Sequence, residues 1–350
     1  MKKFMMASVT LWAIFLFGTA IAANYTGPPI TAKLASEEID GDFMTVWANK
    51  FADHMKEWSD GKITIEVYPY GTLGTTGDIN ELAQMGVVEF VFSDHAWISS
   101  FVPQAQALAL NYIFPTEKVP QVLDWMAKNG DFLPLLEKAF RDNDLVPLSI
   151  MFEGWQWVTS KKPIKSLSDL EGVKLRLMSS KLLVEDYKAY GASPTPMSYG
   201  EVYSGLQMGL IDAQVNPLFA IYSMKFYEVQ DYVTQLKSEP FIGIPTVNQK
   251  FYDGLPKEVQ DEMRNFWTNA IIPAGEWITE RNQSDMEKMK KAKPSLTFHV
   301  LEDKAIDEFK AKAETVYSLY PEIGGEGADK VLDALLSDIA EAKKALNIQE

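Results

Sequence analysis

The segment QMGLIDAQVNP (Gln207 to Pro217) has an echo earlier in the chain, QMGVVEFVFSD (Gln84 to Asp94). Each reads Gln-Met-Gly, two aliphatic residues, an acid and a short mixed run, and each follows an amphipathic segment. The glycine is the natural left-handed residue that ends a helix. The aliphatic run behind it suits a strand. Solenoid units recur every ~20–50 residues, so an interval this long suits instead two lobes of similar βα build. Coincidence is the alternative, because glycine-capped helices followed by strands occur in any α/β protein.

Elements on either side of the first copy alternate in type. TAKLA reads as a strand, Phe43 to Trp58 as a helix with apolar spacing of 3 and 4, and KITIEVYPY as a strand. In GTLGTTGDINELAQMG a Gly-rich turn leads into a short helix, where Thr75 and Asp78 have capping-box spacing that Gly77 weakens. WISSFVPQAQALALNYIF, a helical stretch VPQVLDWMAKNGDFLPLLEKAFRDN and the strand LVPLSIMF complete an α/β lobe.

Around the second copy the pattern restarts. WQWVTS, VKLRLM and LIDAQV read as strands, SKLLVEDYKAYG and GEVYSGLQM as helices, and Ser198 with Glu201 forms the cleaner capping box. From Leu255 to Lys291 runs a long helical pattern in which Pro273 predicts a kink or a break. LTFHVL is a strand, and two terminal helices follow.

The N-terminus has the form of an export signal. Lys2 and Lys3 precede the apolar run MMASVTLWAIFLF and the small-residue sequence Ala20-Ile21-Ala22, so cleavage is expected near Ala22/Ala23 and residues 1–22 are set aside. That run is shorter than the ~20 apolar residues of a membrane helix. No other stretch is long and apolar enough to span a bilayer, so the expected product is exported and soluble, with no membrane insertion once the signal is removed. The chain contains no cysteine, which removes a disulfide framework, a thiol nucleophile and a lipid-anchor site. Net charge is −15, or −17 without Lys2 and Lys3, which discounts nucleic acid and anionic membrane as partners.

Signals for an enzyme are poor. His54, His95 and His299 lack metal-ligand spacing, and no H-E-x-x-H, P-loop or G-x-S-x-G occurs, so neither a metal nor a cofactor is expected. An exported hydrolase with paired carboxylates is the reading from another class, although no pair stands out. Of the four arginines beyond the signal, Arg176 is distinctive, lying among leucines in VKLRLM. A guanidinium there calls for a partner such as a carboxylate. Otherwise it is an edge-strand residue sharing an exposed face with Lys174. Gln214 and Asn216 are two apart and share one strand face. Asn216-Pro217 also reads as a turn initiator. Trp155, Trp157, Tyr199, Tyr203 and Phe219 crowd the same region, as core or as the lining of a cleft.

The run WVTSKKPIKSLSDLEGVKLRL, then GASPTPMSYGEVYSGLQMGLIDAQVNP, then YEVQ, resembles the periplasmic solute-binding proteins of TRAP transporters, as does ITIEVYPYGTLG earlier. The likeness covers nearly the whole exported chain in order. It implies an α/β, two-lobed periplasmic binding protein fold, with mixed sheets in each lobe, a cleft between them and long C-terminal bracing helices. The lobes are expected over residues 23–152 with about 241–280, and 153–240 with about 281–346. The implied protein is a periplasmic, monomeric receptor that captures a small organic carboxylate and delivers it to a TRAP membrane permease.

By the same resemblance Arg176 matches the carboxylate-clamping arginine, and Asn216 the Asn of the D-G-x-x-N-P motif, from which Ala213 and Val215 depart. Tyr199 takes the aromatic position before the E-V-Y helix, and Asp94, His95 and Trp97 fall at the first-lobe contact loop. Glu37 and Glu38 occupy a loop that faces the cleft. Trp155, Gln156, Met178, Gln214 and Phe241 complete the expected ligand-binding set. Where many members carry a second arginine, this chain has Gly154-Trp155-Gln156. A second ligand carboxylate would lack a cation there, at a cost of several kcal/mol. The expected ligand is therefore a monocarboxylate with an apolar or aromatic body, with an amino acid admitted if Glu38 meets an ammonium group. C4-dicarboxylates and sugar acids are the alternative.

Overall fold

A computed structural model describes residues 24–349; the expected signal peptide and its cleavage site lie outside them. Ten strands form one sheet: β1 (Ile30–Ser36), β2 (Ile63–Tyr68), β3 (Phe90–Asp94), β4 (Leu145–Pro147), β5 (Met151–Ser160), β6 (Lys174–Leu177), β7 (Ser193–Pro196), β8 (Ala213–Asn216), β9 (Tyr232–Asn248) and β10 (Thr297–Val300). The order is β2-β1-β3-β9-β5-β8-β6-β7, with β4 and β10 also paired to β9. The expected sheets of the two lobes are thus hydrogen-bonded into one through the antiparallel pair β5 and β9.

The two halves of this sheet have matching plans. β2, β1 and β3 are parallel to one another, and β3 then pairs antiparallel with β9. β7, β6 and β8 are likewise parallel, and β8 pairs antiparallel with β5. Both echoed segments therefore feed the strand that abuts a crossing strand. Their helices end alike: Gly86 has φ 71° and Gly209 φ 72°, and Val87 N–H bonds to the Leu82 carbonyl as Leu210 N–H bonds to that of Gly205, each 2.9 Å. This six-to-one bond is the Schellman closure.

The structure differs from the sequence reading where tertiary packing wins. β9, 17 residues long, was not legible as a strand, since Pro240, Gly243 and Pro245 punctuate it. Pairing on both sides carries it past those residues: Phe92 of β3 is registered with Pro245 and Trp155 of β5 with Pro240. Residues from Lys257 to Ala292 form one helix that runs through Pro273 without a break. Packing holds it along its length, through Trp267 against Phe51, Trp277 against Phe43, and Asn282 Oδ1, which accepts from Phe219 N–H at 2.8 Å. The segment after β3 gives one turn of α-helix and a 3₁₀ helix, and the helical stretch that follows splits into Val119–Asn129 and Phe132–Arg141 at Gly130.

The two capping boxes are reversed in outcome. Thr75 and Asp78 form the reciprocal pair despite Gly77, with Thr75 N–H to Asp78 Oδ2 at 2.7 Å. Ser198 makes no capping bond, and a 3₁₀ turn (Tyr199–Glu201) precedes the helix Val202–Met208. Tyr199 is instead held by its ring, edge-on to Tyr70 and to Phe226.

Candidate functional site

The C-terminal ends of parallel strands are where open α/β sheets gather ligand-contacting groups. Here Asp94 ends β3, Asn216 ends β8, and Arg176 lies one residue from the end of β6. These ends and the loop after β1 surround a narrow cavity of about 10 Å³, lined by Glu37, Glu38, Asp94, Trp97, Arg176, Met178, Tyr199, Asn216, Phe219, Ala220 and Phe241. That is about the room one water molecule needs.

Arg176 is 1% exposed, so it is not the edge residue of the alternative reading; Lys174, on the same face of β6, is the exposed one. Its Nε donates to the Met197 carbonyl at 3.0 Å and Nη1 meets the Met178 sulfur at 3.6 Å, while Nη2 has no partner within the protein. Burial lowers its pKa to about 10, which leaves it charged near neutral pH. Asn216 donates through Nδ2 to Gln214 Oε1, and Gln214 donates in turn to Thr159 Oγ1 at 3.1 Å. The Tyr199 hydroxyl is buried without a partner.

Against this single guanidinium stand three buried carboxyl groups. Glu37 Oε2 accepts from Ser93 Oγ and Asp94 N–H, both 2.8 Å; Asp94 Oδ1 accepts from Trp97 N–H and Glu38 Oε2 from Met44 N–H, each 2.6 Å. Burial is the leading cause of a raised pKa in all three: Glu37 stands well above the usual carboxylate range, helped by Asp94, and Glu38 is pushed up to about 8, helped by Asp42.

Of the expected ligand-binding residues, eight line the cavity and four do not. His95 turns away, its Nδ1 3.1 Å from the Ile242 carbonyl and its Nε2 3.9 Å from Glu239. Gln214 spends its amide on Thr159 and Asn216, which sets the orientation of Asn216. Trp155 and Gln156 fall on the irregular part of β5, between Phe152 and Trp157, where its register against β9 shifts. Gln156 is buried there with neither end of its amide bonded, and it is not part of the cavity wall. Glu37, Phe219 and Ala220 were outside the expected set. Glu37 shares the cleft loop with Glu38, so the loop gave the signal; Phe219 and Ala220 lie just past Asn216-Pro217, at the start of the helix Leu218–Ser223.

Two matching half-sheets joined by crossing strands, with a small cavity between the strand ends, define a two-lobed solute-binding receptor. Residues 34–322 match the bacterial extracellular solute-binding proteins, family 7, and the chain belongs to that family. It is similar to the ectoine/5-hydroxyectoine-binding periplasmic protein UehA of Ruegeria pomeroyi, 34% identical over 95% of this chain and 97% of that one. The solved periplasmic ectoine-binding protein of the TeaABC TRAP transporter of Halomonas elongata superposes with a TM-score of 0.84 at 34% identity, over 89% of this chain and 99% of that one. The C4-dicarboxylate-binding protein DctB of Bacillus subtilis is 30% identical over 83% of this chain and 82% of its own. Members are extracytoplasmic binding receptors that work with membrane permease subunits; this chain is such a receptor and not an enzyme. Among the described residues no helix is long and apolar enough to cross a membrane.

Proposed function

We propose that the receptor captures a small zwitterion, a carboxylate joined to a delocalised nitrogen cation of the kind ectoine carries. The supporting observation is the charge inventory of the cavity, one guanidinium with an unused Nη2 beside Glu37, Glu38 and Asp94. Arg176 takes the carboxylate in charge-assisted bonds, the strong class for this pairing. Glu38, with Glu37 and Asp94 beside it, takes the cation. Trp97, Tyr199, Phe219 and Phe241 supply aromatic surface, which also attracts a desolvated cation. Closure of the lobes excludes water and strengthens both ion pairs.

This narrows the monocarboxylate expected from the sequence, for which an amino acid was already admitted, to one that carries a cation. A plain aromatic acid satisfies Arg176 but leaves three buried carboxyls facing apolar surface, and a dicarboxylate adds a fourth carboxyl group with no second cation in the cavity wall. The names of the ectoine-binding relatives agree with the zwitterion. We also infer that the lobes comprise residues 23–152 with about 241–280 and 153–240 with about 281–346. These divisions fall at the irregular pairing of β5 after Phe152 and beside Pro240 of β9. In this reading the receptor acts as a monomer and hands its ligand to TRAP permease subunits. Titration calorimetry with ectoine, succinate and benzoate tests the ligand class. Ectoine is expected to bind at least tenfold more tightly, about 1.4 kcal/mol; tighter binding of succinate or benzoate overturns the proposal.

A further inference from the structure

Glu153 lies just behind the cavity wall and has no part in the site so far described. It is fully buried, and neither of its carboxylate oxygens has a donor within hydrogen-bond reach. Its Oε1 sits where a side chain at Gly243 would otherwise go, 2.1 Å from that Cβ position, which the Phe92 ring and the Met44 methyl also crowd at 2.8 and 3.1 Å. Its one hydrogen-bonding neighbour is Glu38, which is itself a carboxyl group of the cavity. Two carboxyls can bond only if a proton lies between them, and an ionised carboxylate in such apolar surroundings is strongly disfavoured.

The surrounding charges sharpen the contrast. Glu37 faces the pair from the loop after β1, Asp42 from the start of the helix Phe43–Trp58, and Asp94 from the end of β3. Of the cations, Arg176 couples to Asp94 and Glu37, His95 to Asp94 and Glu239, and Arg281 lies 3.5 Å from Asp42. Glu37, Glu38 and Asp94 each accept at least one N–H bond. Glu153 alone of these cavity-side acids has neither a cation nor an N–H donor.

We propose that Glu153 sets specificity through Glu38: the two carboxyls hold their protons in common in the empty receptor, and an incoming ligand cation displaces one of them to solvent. One carboxyl O–H bond breaks, the proton passes to water, and the ligand cation replaces its charge. A neutral or purely anionic ligand has nothing to exchange for that proton, so it leaves the pair protonated. Burial raises the pKa of Glu153 well above the usual range and holds Glu38 near 8, so the exchange falls at neutral pH. Because the proton is bound by the empty form and lost on binding, affinity rises with pH until that pKa is passed. The inference rests on the zwitterion reading.

The test is calorimetry with ectoine on the intact receptor in buffers of differing ionisation enthalpy, between pH 6 and 8.5. Wild type is expected to release about one proton per ligand, with Kd falling about tenfold per pH unit below pH 8. Glu153→Gln keeps a permanent donor to Glu38, whereas Glu153→Leu gives it none. That donor favours the ionised form of Glu38. E153Q is therefore expected to keep the proton release and the pH profile, and E153L to bind ectoine at least about tenfold more weakly at pH 7, with its profile moved to higher pH. Binding without proton release by wild type, or an unmoved profile in E153L, overturns the role of Glu153 and leaves the zwitterion reading intact; failure of ectoine to bind removes that reading itself. The infrared difference spectrum of wild type gives a check independent of the variant. Ligand should bleach a protonated-carboxyl band, and an undisturbed band overturns the proposal.

Discussion

The two echoed segments share a backbone and differ in charge. Gln84–Asp94 and Gln207–Pro217 both close a helix on a left-handed glycine and both feed a strand beside a crossing strand. In each, the apolar residues at the exit stay in solvent: Met85 is 67% and Met208 66% exposed. Packing of those side chains therefore does not explain the repeated phrase, whereas the glycine-dependent closure does. At their far ends the copies diverge. The first delivers Asp94 beside Glu37 and Glu38, and the second delivers Asn216 beside Arg176. One plan thus supplies a carboxylate-rich wall and a guanidinium-bearing wall to the same cavity, as a ligand carrying both charges requires.

The comparison breaks most directly at Arg176. Arg176→Ala should weaken ectoine binding by about 2–5 kcal/mol, roughly thirtyfold to a few thousandfold, because the ligand carboxylate loses its only cation. Circular dichroism should show the fold retained, and unchanged calorimetric affinity would remove Arg176 from the site. On the opposite wall, Glu38→Gln should cost about 1.5–3 kcal/mol for ectoine while leaving benzoate binding equal or improved. Equal losses for both ligands would show that the acid wall does not read the cation.

Smaller effects follow at neutral groups. Asn216→Ala should cost about 1 kcal/mol in ectoine affinity, a neutral hydrogen bond, and a loss as large as that of R176A would mean that the amide holds the fold. The glycine caps provide the finest test. Gly86→Ala and Gly209→Ala should each lower stability by about 1–2 kcal/mol through the left-handed conformation alone. G86A should lose more, since its new Cβ meets the Asn248 side chain at 3.3 Å, whereas at Gly209 nothing lies within 4 Å. Chemical denaturation reads both, and equal losses would show that Asn248 yields freely.

The pH dependence of the empty receptor runs opposite to that of binding. Glu38, with its pKa raised from 4.5 to about 8, holds a proton in the folded chain that the unfolded chain gives up between those values. Its contribution to stability is therefore full below about pH 4.5 and lost as pH rises through 8. Melting temperature of the ligand-free protein should fall over that window, and E38Q should flatten the decline.

Much of the site was legible because residue type and strand spacing constrain each other. An arginine among leucines at Arg176 and an asparagine at a strand end at Asn216 are both placements that burial makes costly without a partner. The first-lobe acids were legible only in part: Glu38 and Asp94 came from position in the resembling motif, while Glu37 was named with the cleft-facing loop but not as a ligand contact. Trp155 and Gln156 lie where the register of β5 shifts, and His95 and Gln214 lie outside the cavity wall for another reason. Sequence puts a residue near a strand end, but the neighbouring strand decides which way its side chain bonds. Gln214 finds Thr159 on β5, and His95 finds the Ile242 carbonyl on β9.

By itself the sequence determined the alternation of β and α elements, the helix exits at Gly86 and Gly209, and the acidic, cysteine-free chain with one arginine in an apolar strand. These follow from local periodicity, backbone sterics and composition. Only the tertiary structure decided that β9 runs unbroken through two prolines and that the helix from Lys257 persists through Pro273, because long-range pairing and packing outweigh the local cost. It alone decided that Glu38 meets Glu153. That contact joins residues more than a hundred positions apart, which no local pattern in the sequence could pair.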